Sequence, residues 1–244
     1  MTCATPRPGS RDPGARSERE RIERVYRRYA SDPYFRKIWF ESAASRLILE
    51  RKWGLIRQIL SGSGIDLNAA RVLDVGAGDG RDCARWRDLG ARADRIVAFD
   101  LLRDAVLQAR LDHPWMAAVT GDAASLPFRD DAFDLVYQST MVSSVLAPAR
   151  RERLLGEVRR VLAPGGLFVS YDTRYPNPMN RNTRPLREGE LARAFDGWSL
   201  EAWSLTAVPP LQRVIAPLAP SVCRALERVP PLRTHLLALI RRPC

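Results

Sequence analysis

The chain has 244 residues, of which 45% are hydrophobic and 27% charged, and its formal net charge is +11. This length suits one domain with a full core, or one domain with a small appendage, in a soluble globular protein. No apolar run approaches the ~20 residues that a transmembrane helix needs, and four scattered cysteines exclude a disulfide scaffold and a cysteine zinc motif.

The positive charge raises the question of a nucleic-acid partner. Only two of the 39 basic residues are lysines, Lys37 and Lys52, and the arginines are spread along the chain. This skew is explained more simply by the composition of the source genome than by a nucleic-acid surface. Anionic small molecules, or an anionic membrane surface, remain compatible with the charge.

The first 64 residues precede the main domain. Residues 1–17 are polar and contain Pro and Gly but no apolar centre of a signal peptide, which predicts a disordered tail and a cytoplasmic protein. Residues 18–64 contain two amphipathic helices, at 18–30 and 42–61, and form an N-terminal helical cap. A domain of residues 65–244 follows the "SGSG" linker.

From residue 71 onward, short apolar strands alternate with helices. Strands are predicted at 71–76, 95–100, 115–122, 133–139, 167–172, 198–208 and 235–242. Helices are predicted at 81–90, 102–112, 148–163 and 211–228. The alternation indicates an α/β fold with a parallel sheet that helices cover on both faces.

A glycine-rich turn follows the first strand, in the stretch "VLDVGAGDGRD" at 72–82. Gly76, Gly78 and Gly80 let a ligand approach the backbone, and the next helix offers unpaired N–H groups. The pattern predicts a nucleotide-cofactor site at the switch point of the sheet.

Two cofactor classes compete for this turn. A dinucleotide turn has the spacing G-x-G-x-x-G, but Arg81 stands where the third glycine would be. Asp74 would repel a pyrophosphate, whereas it suits an ammonium group. The spacing G-x-G-x-G with Asp74 before it resembles the class I S-adenosylmethionine-dependent methyltransferases. Their Rossmann-like fold implies an α/β domain with a doubly wound, mostly parallel seven-stranded sheet. The resemblance covers residues 65–172 most firmly and implies that Asp74 orients the methionine end of the cofactor.

Later motifs extend the resemblance in the expected order. Asp100 ends the second strand, where a carboxylate can accept hydrogen bonds from both ribose hydroxyls. The resemblance places Asp122 at the adenine amino group, Ala123 at the adenine ring, and Gln138 near the methionine end or the substrate. The alternatives are that Asp74 caps a helix and Asp100 only ends a strand, while Cys83 is expected to be helix packing. The predicted cofactor-binding residues are Asp74, Gly76, Ala77, Gly78, Gly80, Asp100, Leu101, Asp122, Ala123 and Gln138.

The stretch "YDTRYPNPMNRNTRPL" at 171–186 begins at the carboxyl end of the fifth strand, where ligands bind in this fold. Its asparagines suit hydroxyl- or amide-bearing substrates, and its arginines suit carboxylates or phosphates. It also resembles a signature of a bacterial methyltransferase subgroup associated with polysaccharide or secondary-metabolite genes. The alternative is a surface loop whose asparagines form turns. The predicted substrate-binding residues, all in the insertion 174–186, are Arg174, Asn177, Asn180 and Arg184.

Methyl transfer depends mainly on alignment, but an alcohol acceptor must also lose a proton. Asp172 and Tyr171 are the nearest candidates for that catalytic role by topology, and an amine acceptor needs no dedicated base. His113 is expected to lie away from the rim of the site, and His235 is expected to be structural. No metal site is predicted.

A second insertion, 209–233, is both apolar and basic. It is expected to be a lid packed on the core, or else a contact with a membrane or a lipid-linked acceptor.

The sequence therefore predicts methyl transfer from S-adenosylmethionine to a small molecule, as O-methylation of a natural product such as an antibiotic, or of a sugar. The alternatives are methylation of RNA or protein, a cofactor-binding partner without catalysis, and a Rossmann oxidoreductase.

Overall fold

The sheet has seven strands in the order β3-β2-β1-β4-β5-β7-β6 in the part of the chain that the computed structural model describes, residues 13–178 and 180–244. The strands are β1 Val72–Val75, β2 Ile96–Asp100, β3 Ala117–Thr120, β4 Phe133–Ser139, β5 Leu162–Thr173, β6 Ser199–Ala207 and β7 Arg233–Arg241. Neighbours from β3 to β5 pair in parallel, whereas β7 pairs antiparallel with both β5 and β6. The predicted doubly wound, mostly parallel seven-stranded sheet is confirmed.

The chain order reverses at β1, which lies between β2 and β4. Leu73 is in register with Val97 on one side and with Val136 on the other. β1 is buried along its whole length, as expected of a central strand covered on both faces. Its carboxyl end is therefore the switch point of the sheet, where ligands bind in such folds.

Helices cover both faces. They are α1 Pro13–Ser31, α2 Pro33–Arg36, α3 Ala43–Ser61, α4 Arg81–Asp88, α5 Arg103–Asp112, α6 Pro148–Val161, α7 Glu188–Ala194, α8 Pro209–Ile215 and α9 Pro220–Leu226. α1 begins at Pro13, so the prediction of a disordered tail over 1–17 is wrong for residues 13–17, and residues 1–12 lie outside the described residues. Arg16 pairs with Glu20 one turn later, which supports the additional helical turn.

The prediction of one helix over 211–228 is also wrong. α8 ends at Ile215 and α9 begins at Pro220, with Pro217 in the turn between them. Proline lacks an N–H and clashes with the preceding helical turn, so the helix divides here.

Aromatic packing fixes α3 to one face of the sheet. The ring of Trp53 from α3 lies 5.1 Å from Trp86 of α4, and Trp86 lies 5.2 Å from Tyr137 of β4. Trp53 and Trp86 are buried, and burial of such a side chain contributes roughly 1.5–3 kcal/mol or more. This packing brings α3 close to the carboxyl ends of β1 and β4.

Candidate cofactor and acceptor site

The glycine turn leaves β1 and crosses directly beneath the end of β2. Gly76 N and Ala77 N both donate to the carbonyl oxygen of Phe99, at 2.8 and 3.1 Å. Gly76 and Gly78 have φ angles of +80° and +56°, in the left-handed region that favours glycine. A Cβ at Gly76 would collide with Met141, whereas no described atom lies within 4 Å of a Cβ placed at Gly78. Gly78 therefore borders space in which a ligand could lie against the backbone.

Asp100 ties this turn to the end of β2. Its Oδ2 accepts a hydrogen bond from Gly78 N at 2.8 Å, and its Oδ1 accepts one from Leu102 N at 2.8 Å. Burial raises the pKa of Asp100, and the two amide donors oppose that rise. A carboxylate has about four acceptor positions, so positions remain for ribose hydroxyls. Leu101, next in the chain, is half-buried.

Asp74 lies beneath the turn and is 1% exposed. Its Oδ2 accepts a weak hydrogen bond from Cys83 Sγ at 3.5 Å, so Cys83 packs against the carboxylate. Burial raises the pKa of Asp74 well above its usual range, and the nearby charge of Asp82 raises it further, while Cys83 and Lys52 act in the opposite direction. The carboxylate is thus part of a buried charged group.

Lys52 is the functional candidate that the sequence interpretation missed. It projects from α3, is 3% exposed, and its Nζ lies 2.8 Å from Asp82 Oδ2 and 2.9 Å from Tyr137 Oη. Tyr137 Oη itself donates to Asp82 Oδ2 at 2.7 Å. Lys52 precedes Ile56 by four residues, so it lies on the apolar side of α3. A lysine on that side of the predicted helix was the signal that could have revealed it.

Aromatic rings surround the Lys52 ammonium group. Its Nζ lies 5.1 Å from the ring centroid of Trp53, 5.6 Å from that of Tyr137 and 5.3 Å from that of Tyr171. These distances are within the ~6 Å range of cation–π attraction. The Lys52 ammonium group is therefore held beside the end of β4 by the Asp82 carboxylate, by the hydroxyls of Tyr137 and Ser139, and by three aromatic rings.

Tyr171 and Asp172, the two catalytic candidates, lie on opposite faces of β5. The Tyr171 hydroxyl is 2.7 Å from Thr206 Oγ1, its ring stacks on His235 at 5.0 Å, and burial raises its pKa. Asp172 is 1% exposed, and its Oδ2 accepts from Ser143 N at 3.0 Å and Gln138 Nε2 at 3.3 Å. Burial raises the pKa of Asp172 as well.

Gln138 lies in the interior and connects β4 to the loop that follows it. Its Oε1 accepts a hydrogen bond from Met141 N at 3.0 Å, and its Nε2 donates to Ser170 Oγ at 2.6 Å. Together with Asp172, it fixes the backbone of residues 141–143. The two predicted residues are therefore brought together, in a buried network at the rim of the sheet.

Asp122 is held by a cation that the sequence interpretation did not identify. Its Oδ2 lies 2.6 Å from Arg150 Nη2, and its Oδ1 accepts a hydrogen bond from Ala124 N at 2.9 Å. Arg150 is 5% exposed, and Ala123 packs against the core on that face of the sheet. The pair fixes the loop after β3 at the edge of the predicted adenine position.

α1 reaches over the loop between β4 and α6. Tyr26 Oη lies 2.5 Å from Ser144 Oγ, and Arg21 Nη2 donates to the Ser144 carbonyl oxygen at 2.5 Å. Glu18 Oε1 accepts from Leu146 N at 2.5 Å. Burial raises the pKa of Tyr26 to about 12, and the charges of Asp172 and Asp100 raise it too.

The insertion 174–186 meets α1 through Asn180. Tyr29 Oη donates to Asn180 Oδ1 at 3.4 Å, and Arg184 N donates to the Ser143 carbonyl oxygen at 2.8 Å. The Arg174 guanidinium lies 4.7 Å from the Tyr175 ring centroid, while the side chains of Asn177 and Arg184 are exposed. The insertion thus lies beside the rim of the sheet, as its position after β5 predicted.

The central part of the chain matches a known protein family. Residues 73–170 match the model of the family described as "Methyltransferase domain". A ubiquinone/menaquinone biosynthesis C-methyltransferase of Paracoccus denitrificans is 30% identical over 152 residues, or 59% of this chain and 53% of that protein. A demethylmenaquinone methyltransferase of Streptomyces avermitilis is 32% identical over 108 residues, or 44% of each chain. The chain thus spans about half the length of these relatives.

Solved structures agree on the fold. The PH0226 protein of Pyrococcus horikoshii superposes with a TM-score of 0.61 at 18% identity, over 88% of this chain and 98% of that one. An S-adenosylmethionine-dependent methyltransferase of Mesorhizobium loti superposes with a TM-score of 0.55 at 21% identity, over 76% and 96% of the two chains. Residues 73–170 are therefore similar to a methyltransferase domain, and the chain shares its fold with these two solved structures.

Proposed function

We propose that the protein transfers a methyl group from S-adenosylmethionine to a small-molecule acceptor, with an oxygen of a natural product or sugar as the acceptor atom. The observation that carries the proposal is the junction of the glycine turn with Asp100. Gly78 borders open space there, and it donates its N–H to a carboxylate at the end of β2.

The residues present suit the cofactor. Asp100 would hold the ribose hydroxyls, and Asp122 with Ala123 would border the adenine. Asp74 and Gln138 would lie toward the methionine end, where the buried carboxylate favours an ammonium group. When bound, the cofactor supplies a methyl group on a sulfonium, which is already a good leaving group. The contribution of the chain is then chiefly alignment and exclusion of water.

A polar set on the acceptor side favours a hydroxyl-bearing small molecule. Polar side chains meet where α1 approaches the rim of the sheet: Tyr26 of α1, Ser144 and Asn180. The insertion beside them carries Arg174 and Asn177. Hydroxyl and amide groups both donate and accept hydrogen bonds. The likeness of 171–186 to the polysaccharide and secondary-metabolite subgroup supports the same choice.

We assign the proton-accepting role to Asp172 when the acceptor is an alcohol. Its raised pKa brings the carboxylate closer to the basicity that a general base needs. Asp172 also holds Ser143 N, so acceptor binding would have to open this contact. Tyr171 is the weaker candidate because its hydroxyl is bonded to Thr206 on the opposite face of β5.

A carbon atom of a lipophilic ring is the second candidate acceptor. The names of two relatives, a C-methyltransferase of ubiquinone and menaquinone biosynthesis and a demethylmenaquinone methyltransferase, favour it. Exposed apolar side chains in 209–233, among them Leu218, also favour a lipophilic acceptor.

Transfer of a labelled methyl group tests the proposal. The protein is incubated with methyl-labelled S-adenosylmethionine and an extract of the organism that encodes it. Label is then counted separately in the small-molecule, lipid, glycan, nucleic-acid and protein fractions. Label in the small-molecule or glycan fraction that Asp74→Ala abolishes supports the proposal, and label in the lipid fraction supports the second candidate. Label confined to nucleic acid or protein contradicts both, and no label despite cofactor binding favours a partner without catalysis.

A further inference from the structure

The helical hairpin formed by α8, the turn after it and α9 has two unlike faces. Its inner face packs on α3, where Ala216 and Cys223 are buried against Ala44 and Leu47. Its outer face carries apolar side chains that are exposed to solvent. Five of the nine large hydrophobic side chains exposed on the described residues lie in 209–233: Leu211, Val214, Leu218, Val222 and Val229.

The exposure is greatest where the hairpin turns. Val214 is 71% exposed and Leu218 is 88% exposed. Leu211, Val214 and Leu218 follow one another at spacings of three and four, so they lie along one side of α8 and its continuation. A cluster of exposed apolar side chains on one side of an element marks an interaction surface rather than chance exposure.

The charges of the hairpin are of one sign at its surface. Arg224 and Arg228 are exposed, and Glu227 is the only acidic residue in 209–233. The Glu227 carboxylate is turned inward, since it accepts from Gln212 Nε2 at 3.3 Å and lies 3.5 Å from Arg51 Nε. The outer face therefore combines apolar side chains with positive charge.

We propose that the outer face of the helical hairpin docks on an anionic lipid surface. None of the helices in the described ranges is both long enough and apolar enough to cross a bilayer, so the mode of contact is interfacial. Apolar side chains would enter the acyl boundary while the arginines pair with headgroup phosphates. A second copy of the chain suits the face less well, because a two-fold contact would bring the arginines of both copies together.

The test is co-sedimentation of the full chain with vesicles of phosphatidylcholine alone or of phosphatidylcholine with phosphatidylglycerol. We expect binding to the anionic vesicles that weakens as salt is added. The double variant V214D/L218D should lower this binding about tenfold or more, because it places charge where apolar groups enter the lipid. The double variant R224A/R228A should lower it about fivefold for each arginine removed.

A matched control exists on α5, where Leu107 is 44% exposed and Leu111 is 76% exposed. Their neighbours Asp104 and Asp112 are acidic, so this site lacks the net positive charge of the hairpin. L107D/L111D should bind anionic vesicles as the unaltered chain does, and circular dichroism should show that every variant is folded. Two results overturn the proposal: the unaltered chain does not bind anionic vesicles, or V214D/L218D and L107D/L111D lose vesicle binding equally. If the unaltered chain does not bind vesicles but forms a dimer that the V214D/L218D substitutions dissociate, the proposal is overturned, and the occupant of the face is a second copy of the chain. The readout does not require methyl transfer.

Discussion

The Asp100 carboxylate anchors the glycine turn through Gly78 N, and it is the proposed partner of the ribose hydroxyls. Asp100→Ala removes charge-assisted hydrogen bonds, so we expect it to weaken S-adenosylmethionine binding by about 1–3 kcal/mol. Isothermal titration calorimetry measures the loss. Asp104→Ala, at an exposed acidic residue close by in the chain, is the control and should bind normally. Unchanged affinity in Asp100→Ala would remove the residue from the cofactor site.

Lys52 neutralises a group of carboxylates that would otherwise be buried together. Lys52→Met removes the cation that pairs with Asp82 near Asp74, and breaking a buried ion pair in this way destabilises a protein by roughly 3–5 kcal/mol. Urea unfolding should show that loss. Lys37→Met alters the other lysine of the chain, which is exposed, and should change stability by about 0.5 kcal/mol or less. Similar stability of the two variants would contradict the account of Lys52.

His235 makes stability depend on pH, because it is buried against Tyr171 and its pKa is lowered to about 3, chiefly by burial. The unfolded chain titrates near pH 6.5, so it binds the proton first and stability falls as the pH drops below that value. Between about pH 7.5 and about pH 5.5 this group should remove about 1.4 kcal/mol. His235→Phe keeps an aromatic ring and abolishes the titration.

Urea unfolding of both proteins at the two pH values measures the difference. The loss in His235→Phe should be smaller by about that amount. The raised pKa values of Asp74 and Asp172 act with the opposite sign, because the folded state holds those protons more tightly. They are common to both proteins and cancel in the comparison. Parallel pH dependence of the two proteins would contradict the assignment.

The residues that the sequence interpretation identified and missed differ in one physical respect. Gly78 and Asp100 belong to a local pattern of strand, turn and helix, so spacing alone pointed to them. Lys52 meets Tyr137 across 85 positions, and Tyr26 meets Ser144 across 118. No local pattern encodes such pairs, because they exist only after helices have packed on the sheet.

At the scale of elements, the insertion 174–186 and α1 together border the proposed acceptor region. Arg174→Ala and Asn177→Ala should each raise the KM for the acceptor. Cofactor affinity should be unchanged, because both residues lie on the insertion after β5 and not on the glycine turn. Steady-state kinetics with the acceptor found by label transfer measure the effect. Arg85→Ala, at a surface residue of α4 paired with Asp88 at 3.6 Å, is the control. Unaltered KM in both variants would reduce the insertion to a surface loop.

Element boundaries were predicted less well than element types. The alternation of strands and helices from residue 71 onward was legible because each buried strand is a short apolar run between turn residues. The single helix expected over 211–228 became two because Pro217 interrupts it. α1 extends beyond its predicted start because ion pairs one turn apart, such as Arg16 with Glu20, support a polar helix that lacks apolar periodicity.

At the scale of the whole molecule, the position of β7 is the feature that alternation could not predict. β7 lies between β5 and β6 and runs antiparallel to both. A strand inserted between two others is specified by long-range pairing, whereas the parallel part from β3 to β5 follows from right-handed crossovers between successive strands. The resemblance to a family, rather than the periodicity, supplied the seven-stranded sheet.

We propose that the carboxyl edge of this sheet binds S-adenosylmethionine and not a dinucleotide. The most direct measurement is calorimetric titration of the purified protein with S-adenosylmethionine, with S-adenosylhomocysteine and with a nicotinamide dinucleotide in parallel. The account predicts saturable one-site binding of the first two, absent or weak binding of the third, and loss of affinity in Asp100→Ala. Binding of the dinucleotide alone, or no binding of S-adenosylmethionine by the folded protein, would contradict it.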